Sequence, residues 1–305
     1  MKAIRTHERT GVSGLVFEDA PEPKPMFCEV LVKVAACGIT HNELDWPIWT
    51  CRAGHRRASV IPGHEVSGTV AALGFGTAGI AVGDEVYGLT DQLRDGAAAE
   101  YVAVEARNVA QKPRTVDHVH AAAVPRAGLT AWQALFDHGK LAKGQTVVIH
   151  GAGGGVGTLA VKLAVSAGAR VIGTGRAQAR ELVLQLGAER YLDLSRDAFG
   201  DVKDVDVVFD LIGGDVLHQS WPMLRPGGTL VSVVDEPNDE RADVKNLLFV
   251  VEPNGEQLTE LARRIESLHP VVGKVSALPD GPRLWAEKIA GGIPGKVVLT
   301  SSSLP

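Results

Sequence analysis

The most informative motif of the chain is His150-Gly151-Ala152-Gly153-Gly154-Gly155-Val156-Gly157. It follows the apolar run Thr146–Ile149 and opens a helix, and a glycine motif in that context is much stronger evidence than a glycine motif alone. Ala152 and Gly154 allow a tight turn and the close approach of a pyrophosphate, while Gly157 lets the helix pack on the sheet. Because a helix N-terminus offers free N–H groups and a favourable dipole, the sequence predicts a dinucleotide-binding loop here.

The chain beyond Gly128 alternates between apolar strands and segments with helical spacing. The strands are runs of Val, Ile and Leu, which is typical of strands buried on both faces of a parallel sheet. The alternation therefore predicts a doubly wound α/β domain. The predicted strands are Thr146–Ile149, Arg170–Thr174, Arg190–Asp193, Asp206–Asp210, Thr229–Val234 and Leu247–Val251, and the predicted helices are Gly128–Asp137, Val156–Ala167, Ala177–Leu186, Val216–Met223 and Glu256–Leu268.

The chain up to Ala110 has a different texture, with short strands between glycine and proline turns. Short strands at close spacing predict a small β-barrel-like unit. Since 305 residues exceed one compact core, the length alone favours about two domains. The predicted strands of this part are Glu29–Ala36, Glu65–Leu73, Asp84–Thr90 and Ala98–Val104, with a last strand at Lys296–Thr300.

The composition excludes several classes of protein. The formal net charge is −5 and no Lys/Arg block stands out, so a nucleic-acid partner is not expected. No apolar run approaches the roughly 20 residues that a membrane span needs, and the start of the chain is too charged for a signal peptide. We therefore expect a cytoplasmic protein. Cys28, Cys37 and Cys51 are expected to be reduced thiols without a special role.

The second strand of the α/β domain indicates which nicotinamide cofactor binds. A site that prefers NAD places an acid about 20 residues after the glycine motif, but residues 158–180 contain no acid. Arg176 follows the strand, and a guanidinium suits the 2′-phosphate of NADPH. We expect NADPH, with Arg176 as the main contact. Arg180 is expected either to support Arg176 or to be a solvated surface charge.

Several motifs together resemble the medium-chain dehydrogenase/reductase family. The resemblance implies a GroES-like catalytic domain, a Rossmann domain and an active-site cleft between them. It places the catalytic domain at residues 1–124 with 267–305 and the NADP-binding Rossmann domain at 125–266. Besides the glycine loop, the matching stretches are Pro62–Gly68, Val82–Gly88, Asp95–Tyr101, Ala127–Ala131, Leu224–Gly228 and Gly295–Leu299.

Zinc-dependent members of this family hold a catalytic metal, and the resemblance locates the three ligand positions. The first, in Cys37-Gly38-Ile39-Thr40-His41, is Thr40; the second retains His64; the third is Arg126. One ligand in three cannot hold a tetrahedral ion, and a cation at the third position repels it. The chain is therefore similar to the zinc-free NADPH:quinone oxidoreductases and the alkenal/enone reductases.

Two acids, Glu43 and Glu65, match positions that lie behind the zinc in metal-bearing relatives. A buried acid without a partner is costly. We expect the Arg126 guanidinium to replace the charge of the metal and to pair with one of these acids. The alternative is that Arg126 contacts the substrate or a cofactor phosphate.

The expected reaction is the transfer of a hydride from NADPH to a quinone or an α,β-unsaturated carbonyl compound. Negative charge then develops on a carbonyl oxygen, which some donor must stabilise. The candidates are Thr40, His41, Asn42 and His64, and Tyr87 is a weaker candidate for proton donation. Each could equally be a packed or capping group; Thr40, for example, could cap a helix that begins near His41. Water can also protonate the product.

The resemblance also implies contacts to the cofactor and to the substrate. Trp46 is expected to line the substrate pocket with His41 and Arg126, whereas Trp49 is undecided between pocket and core. The expected cofactor contacts are Thr130, Ala152, Gly153, Gly154, Gly155, Val156, Thr174, Arg176, Arg180, Ile212, Gly213, Val233, Phe249 and Val250.

Two other functions stay open at the level of sequence. One is a non-enzymatic member that binds NADPH, and the other is an alcohol or aldehyde dehydrogenase, against which Thr40 and Arg126 argue. A homodimer is expected because the predicted edge strand Leu247–Val251 is apolar, unless a loop or a helix covers it.

Overall fold

The computed structural model describes residues 1–197, 199–238 and 241–301. The chain forms two compact units. Unit 1 holds Met1–Arg126 and the chain from Pro253 onward, and unit 2 holds Ala127–Glu252. Within the described ranges, no helix is both long and apolar enough to cross a lipid bilayer.

The secondary structure of the described chain is as follows. The strands are β1 (Lys2–Arg5), β2 (Val16–Asp19), β3 (Glu29–Ile39), β4 (Glu65–Leu73), β5 (Glu85–Leu89), β6 (Tyr101–Glu105), β7 (Val109–Gln111), β8 (Thr146–His150), β9 (Arg170–Gly175), β10 (Arg190–Asp193), β11 (Val205–Asp210), β12 (Leu224–Ser232), β13 (Lys245–Leu248), β14 (Val272–Ala277) and β15 (Lys296–Thr300). The helices are α1 (His118–Ala122), α2 (Pro125–Trp132), α3 (Gly155–Ser166), α4 (Arg180–Gln185), α5 (Gly214–His218), α6 (Gly255–Leu268) and α7 (Gly281–Ala290).

Unit 2 contains a six-stranded parallel sheet in the order β10-β9-β8-β11-β12-β13. Its first strand, β8, lies near the centre, and the chain then builds outward on both sides, which is the order of a dinucleotide-binding doubly wound domain. Val147, Val148 and Ile149 in β8 are all fully buried, as a central strand covered on both faces requires. The predicted Rossmann sheet is confirmed.

Two strands of this sheet have different bounds from those predicted. β12 begins at Leu224 rather than at Thr229, because it already pairs with Val205 before an irregularity in register. β13 ends at Leu248, where its pairing with Ser232 of β12 ends, rather than at Val251.

Two predicted helices are each divided in the structure. The predicted helix Ala177–Leu186 consists of a 3₁₀ turn, Ala177–Ala179, followed by α4. The predicted helix Val216–Met223 consists of α5 and a 3₁₀ turn, Trp221–Met223, that contains Pro222. Proline cannot donate a helical hydrogen bond, so α5 ends before it.

Unit 1 is built on a seven-stranded sheet with β14-β15-β3-β4-β5-β7 in order and β6 on β3. Only β14 and β15 are parallel; the other pairs are antiparallel. Its core gathers buried side chains from β1, β3 and β4 with Leu284 and Trp285 of α7. Because β15 pairs with β3, the end of the chain completes this sheet, as the GroES-like fold implies.

The helix α6 belongs to unit 1, although the predicted Rossmann domain extended to residue 266. Gly255 fits tightly against the chain before β7, since a Cβ there would lie 2.7 Å from the carbonyl oxygen of Arg107. The hydroxyl of Tyr87 donates to the carbonyl of Leu258. These contacts place the boundary between the units after Glu252 instead.

Candidate functional site

The glycine loop joins β8 to α3 as the sequence predicts. Gly151 has φ +74°, a conformation that favours glycine, and Gly154 caps α3 without a side-chain hydrogen bond. A Cβ on Gly157 would lie 2.2 Å from the carbonyl oxygen of Gly151, and one on Gly153 would lie 2.4 Å from the Cβ of Ala179. The loop therefore leads into a twelve-residue helix whose first N–H groups have no intrahelical partner, and it leaves no room for a side chain at Gly153 or Gly157.

Most of the predicted cofactor residues lie at one edge of the sheet. Because all six strands are parallel, the segments after β8, β9, β11, β12 and β13 meet at their carboxyl ends, where doubly wound sheets bind ligands. Ile212 and Val250 there are partly open, being 37% and 64% exposed. The residues brought to this edge are the glycine loop, Arg176, Ile212, Gly213, Val233, Phe249 and Val250.

The two arginines that follow β9 have different surroundings. Arg176 has an exposed side chain, and its carbonyl accepts a hydrogen bond of 2.7 Å from the hydroxyl of Tyr191. The guanidinium of Arg180 donates to the carbonyl of Tyr191 at 3.2 Å. Arg176 is therefore free to meet a ligand, whereas Arg180 is partly committed to the protein.

Thr174 was expected to contact the cofactor, but its side chain is fully buried. Its hydroxyl pairs with Nδ1 of His150 at 2.8 Å, and Nε2 of that ring pairs with Ser220 at 2.9 Å. Burial lowers the pKa of His150 to about 4, so the ring is neutral. This corrects the expected contact between the Thr174 side chain and the cofactor. The Thr174 side chain instead holds His150 in place directly before the glycine loop. Thr130 and Phe249 are also largely buried, at 5% and 9% exposure.

Asp210 fixes the turn after β11. Its carboxylate accepts hydrogen bonds from the backbone N–H groups of Ile212 and Gly213 at 3.1 Å and from the hydroxyl of Ser232 at 2.8 Å. Gly213 has φ +80°, and a Cβ there would collide with Asp235. This polar network, together with His150, shapes the edge where the predicted cofactor residues meet, and the sequence analysis did not identify it.

A cluster of buried charged side chains lies in unit 1. The ammonium of Lys296 forms an ion pair with Oε2 of Glu65 and lies 3.4 Å from the hydroxyl oxygen of Thr40. The other carboxylate oxygen of Glu65 accepts the backbone N–H of Arg126 at 3.0 Å. Both oxygens of Glu65 are therefore satisfied, as a buried carboxylate requires.

The expected pairing of Arg126 with an acid is corrected by this arrangement. The guanidinium of Arg126 lies over the ring of Trp46, 4.1 Å from its centroid, and makes no ion pair within 4.0 Å among the described residues. Its Nε is buried without a hydrogen-bond partner. Lys296 takes the place at Glu65, because β15 and β4 are both neighbours of β3. Lys296 stands directly before the apolar run Val297–Leu299, but a lysine at the start of a strand does not indicate which acid it will meet.

Glu43 is fully buried in a 3₁₀ turn, Glu43–Asp45, and accepts the backbone N–H of Thr40 at 3.4 Å. Burial raises the pKa of Glu43 to about 7, although the positive charges of Arg126 and Lys296 oppose the shift. Thr40 does not cap this turn, since its N-cap residue is Asn42 and no side chain caps it. The alternative that Thr40 is a capping residue is therefore wrong.

His64 is buried next to Trp46, with 6.4 Å between the ring centroids. Its Nδ1 pairs with the hydroxyl of Thr90 at 2.8 Å, and its Nε2 is buried without a partner. Burial, aided by Arg126 and Arg57, lowers the pKa of His64 to about 3. The ring is therefore neutral near pH 7 and has one nitrogen free for a ligand.

The ligand positions of a catalytic zinc do not fit the metal. Thr40, His64 and Arg126 supply one imidazole, one hydroxyl and one cation, which is no tetrahedral donor set. Among the residues that the structure describes, no group of three or more His, Cys, Asp or Glu side chains could hold a metal ion. Cys37 is buried beside this region, and burial raises the pKa of its thiol well above the usual value.

The remaining predicted residues have contrasting environments. Tyr87 is fully buried and its hydroxyl donates to Leu258, so the expectation of a proton donor is corrected. Trp49 packs with Ile48 and Val60 and is therefore core. His41 and Asn42 are exposed, and Trp46 is half-buried. These last three side chains are accessible to a ligand.

Two family models match the chain, one within each of its two units. Residues 28–114 match the alcohol dehydrogenase GroES-like domain, and residues 155–252 match the zinc-binding dehydrogenase domain. The second match begins at Gly155, within the glycine loop, and extends over α3 and the strands β9 to β13, and the first covers Glu43 and Glu65.

Proteins similar over most of the chain include two curated relatives and one solved structure. A probable mitochondrial zinc-binding oxidoreductase of Arthroderma benhamiae is 32% identical over 87% of this chain and 85% of its own. A chloroplastic NADPH-dependent alkenal/one oxidoreductase of Arabidopsis thaliana is 31% identical over 92% of this chain and 73% of its own. The structure of a quinone oxidoreductase from Coxiella burnetii covers 99% of both chains at 27% identity, with a TM-score of 0.91.

Proposed function

Since the chain belongs to the quinone-oxidoreductase-like group of the medium-chain dehydrogenase/reductase family, we propose that it is an NADPH-dependent reductase that acts without a metal. Its substrates are quinones or α,β-unsaturated carbonyl compounds. The observation that carries this proposal is the open glycine loop at the start of α3, followed by the exposed Arg176 where an NAD site would have an acid.

The cofactor would be held at the carboxyl edge of the parallel sheet. The N–H groups at the start of α3 suit the pyrophosphate, and the turn at Ile212 and Gly213 is fixed by Asp210. Arg176 would bind the 2′-phosphate, with a smaller contribution from Arg180, whose guanidinium already donates to Tyr191. The similarity to an NADPH-dependent relative favours the same choice.

The reaction needs a hydride, a proton and stabilisation of a developing oxyanion. When bound, NADPH would supply a hydride, which forms the new C–H bond at the β-carbon of an enone or reduces the quinone to its monoanion, and solvent would supply the proton that completes the product. The free Nε2 of His64 donates to the carbonyl oxygen in the tautomer in which the Thr90 hydroxyl donates to Nδ1. Thr40, His41 and Asn42 are further donors, and the charge of Lys296 favours the oxyanion through Thr40.

We propose a mechanism without a metal because Thr40, His64 and Arg126 do not form a set of metal ligands. Arg126 supplies positive charge at a position where zinc-dependent relatives have a ligand, and Lys296 neutralises Glu65. We propose that these two fixed cations take over the electrostatic role of the metal, since both are largely buried and solvent screens buried charges much less than exposed ones.

One assay separates this function from its alternatives. The purified protein is mixed with NADPH, and the fall in NADPH absorbance is followed with a panel of quinones and enones, before and after treatment with a zinc chelator. Turnover that survives chelation supports the proposal. Tight NADPH binding without turnover on any substrate would indicate a non-enzymatic member, and turnover of alcohols or aldehydes that chelation abolishes would indicate a zinc dehydrogenase.

We also propose a homodimer formed through the edge of the parallel sheet. β13 is the terminal strand of this sheet; its last residue, Leu248, is 41% exposed, and Val250, two residues further on, is 64% exposed. Light scattering with size-exclusion chromatography tests this: the wild type should have twice the chain mass, and Val250→Lys should shift it toward the monomer. A monomeric wild type would contradict the proposal.

A further inference from the structure

Arg126 is a buried cation that forms no ion pair with an acid among the described residues. Arg126 is 9% exposed, and its guanidinium has neither an ion pair nor a hydrogen bond among the described residues. Burial lowers the pKa of Arg126, but a guanidinium stays charged in proteins. Such a group is costly to bury unless a partner of opposite charge arrives.

The two nearby acids do not serve as that partner. Glu65 has one oxygen on Lys296 and the other on the backbone N–H of Arg126. Glu43 accepts the N–H of Thr40, and burial raises its pKa to about 7, so it carries its proton for much of the time at neutral pH. With Glu65 and Lys296 paired, only the ionised form of Glu43 offsets the charge of Arg126, and it does so without an ion pair within 4.0 Å among the described residues.

The aromatic ring of Trp46 orients this surplus charge. The guanidinium stacks on one face of the ring at 4.1 Å, which fixes the plane of its donor fork. The centroid of the same indole lies 6.4 Å from that of the His64 ring, whose Nε2, like Nε of Arg126, is buried without a hydrogen-bond partner. Trp46 itself is half-buried, so this pair of donors borders a surface that a ligand can reach.

We propose that the guanidinium of Arg126 is a carboxylate-binding site beside His64, and that the substrates are α,β-unsaturated carbonyl compounds that carry a carboxylate. The fork of Arg126 binds both carboxylate oxygens, because its geometry matches them, while the ketone oxygen remains for Nε2 of His64 and the donors near Thr40. This inference rests on the proposed reductase function for its substrate, but the anion site itself is independent of turnover.

The test compares two substrates that share the reacting carbons and differ in charge. 4-Oxo-2-pentenoate and its methyl ester are each reduced with NADPH, and kcat/KM is measured for both. We expect the acid to exceed the ester by roughly 10- to 100-fold, the range of a hydrogen-bonded charge. Arg126→Met should bring this ratio close to one, and Arg126→Lys should give an intermediate ratio because it keeps the charge and loses the fork.

Arg283→Met is the matched control. It removes one positive charge from an exposed side chain of α7 and should leave the acid-to-ester ratio unchanged. Equal kcat/KM for acid and ester in the wild type, or an equal loss of both in Arg126→Met, would overturn the proposal. If Arg126→Met does not fold, as judged by its circular dichroism, the ratio in Arg126→Lys decides.

A binding experiment separates failure of this site from failure of the reductase function. Calorimetric titration with levulinate, the saturated acid, and with methyl levulinate requires no turnover. Preferential binding of levulinate that Arg126→Met abolishes would support the site even if neither enone is reduced. Lack of levulinate binding, together with turnover of the neutral ester, would refute the site and leave the reductase function standing.

Discussion

The ammonium of Lys296 forms a buried ion pair with the carboxylate of Glu65, although 231 residues separate them in the chain. The strands that carry them, β15 and β4, flank β3, and the pair is made across Gly38 of that middle strand. A Cβ on Gly38 would lie 3.0 Å from Oε2 of Glu65. The missing side chain at Gly38 therefore makes room for the pair, and the end of the chain is tied to the predicted catalytic unit.

Replacing Lys296 should strongly destabilise the protein. Lys296→Met leaves the Glu65 carboxylate buried without its cation, which costs about 3–5 kcal/mol of unfolding free energy. Urea denaturation measures this loss, and Lys296→Met combined with Glu65→Gln should recover much of it. Lys2→Met is the control, since the Lys2–Asp19 pair is exposed and its loss should cost less than about 1 kcal/mol. Equal effects of the two lysine variants would refute the role of the buried pair.

Glu43 should make stability fall as the pH rises. Its pKa in the folded protein is raised from 4.5 to about 7, so between these values the folded state holds a proton that the unfolded state has released. The contribution of Glu43 is complete below about pH 4.5 and is lost as the pH rises through about 7, which amounts to about 3 kcal/mol.

Comparison with Glu43→Gln isolates this effect. His64 and His150, whose pKa values are lowered, act in the opposite direction below pH 6.5, so the wild-type profile alone is a sum. We expect the unfolding free energy of Glu43→Gln minus that of the wild type to increase from pH 5 to pH 8. A difference that does not change with pH would show that Glu43 ionises normally.

The glycine loop should not tolerate a methyl group at Gly157. A Cβ there would lie 2.2 Å from the carbonyl oxygen of Gly151, which is backbone and cannot move aside. Gly157→Ala should lose about 1–3 kcal/mol of stability and weaken NADPH binding, as measured by denaturation and fluorescence titration. Gly200→Ala is the control in the same unit, because its Cβ would have no neighbour within 4 Å. Unchanged NADPH affinity in Gly157→Ala would contradict a phosphate-binding role.

Arg176 should distinguish NADPH from NADH. Arg176→Ala removes the charge expected to meet the 2′-phosphate and should weaken NADPH binding roughly 10- to 100-fold, with little change for NADH. Arg180→Ala should have the smaller effect, since its guanidinium already donates to Tyr191. Dissociation constants for both cofactors, from fluorescence titration, are the measurement. If Arg176→Ala weakened the binding of NADPH and NADH equally, this residue would not be the one that recognises the 2′-phosphate.

The sequence by itself determined the fold and the glycine loop. Both depend on local signals, namely apolar runs with strand or helix spacing and glycines at a strand–helix junction, and such signals do not require knowledge of distant contacts. The family resemblance located Thr40, His64 and Arg126 at the ligand positions, and the conclusion that this set cannot hold zinc then depends only on residue type.

Only the tertiary structure decided how the buried charges are paired. Glu65 could be neutralised by any cation brought near it, and nothing in the sequence separates Arg126, which stacks on Trp46, from Lys296, which forms the ion pair. The same holds for Thr174 and Tyr87, whose hydroxyls are used inside the protein by His150 and Leu258. Such pairings depend on which strands become neighbours, and the side-chain pattern of a single strand does not indicate which strands it will pair with.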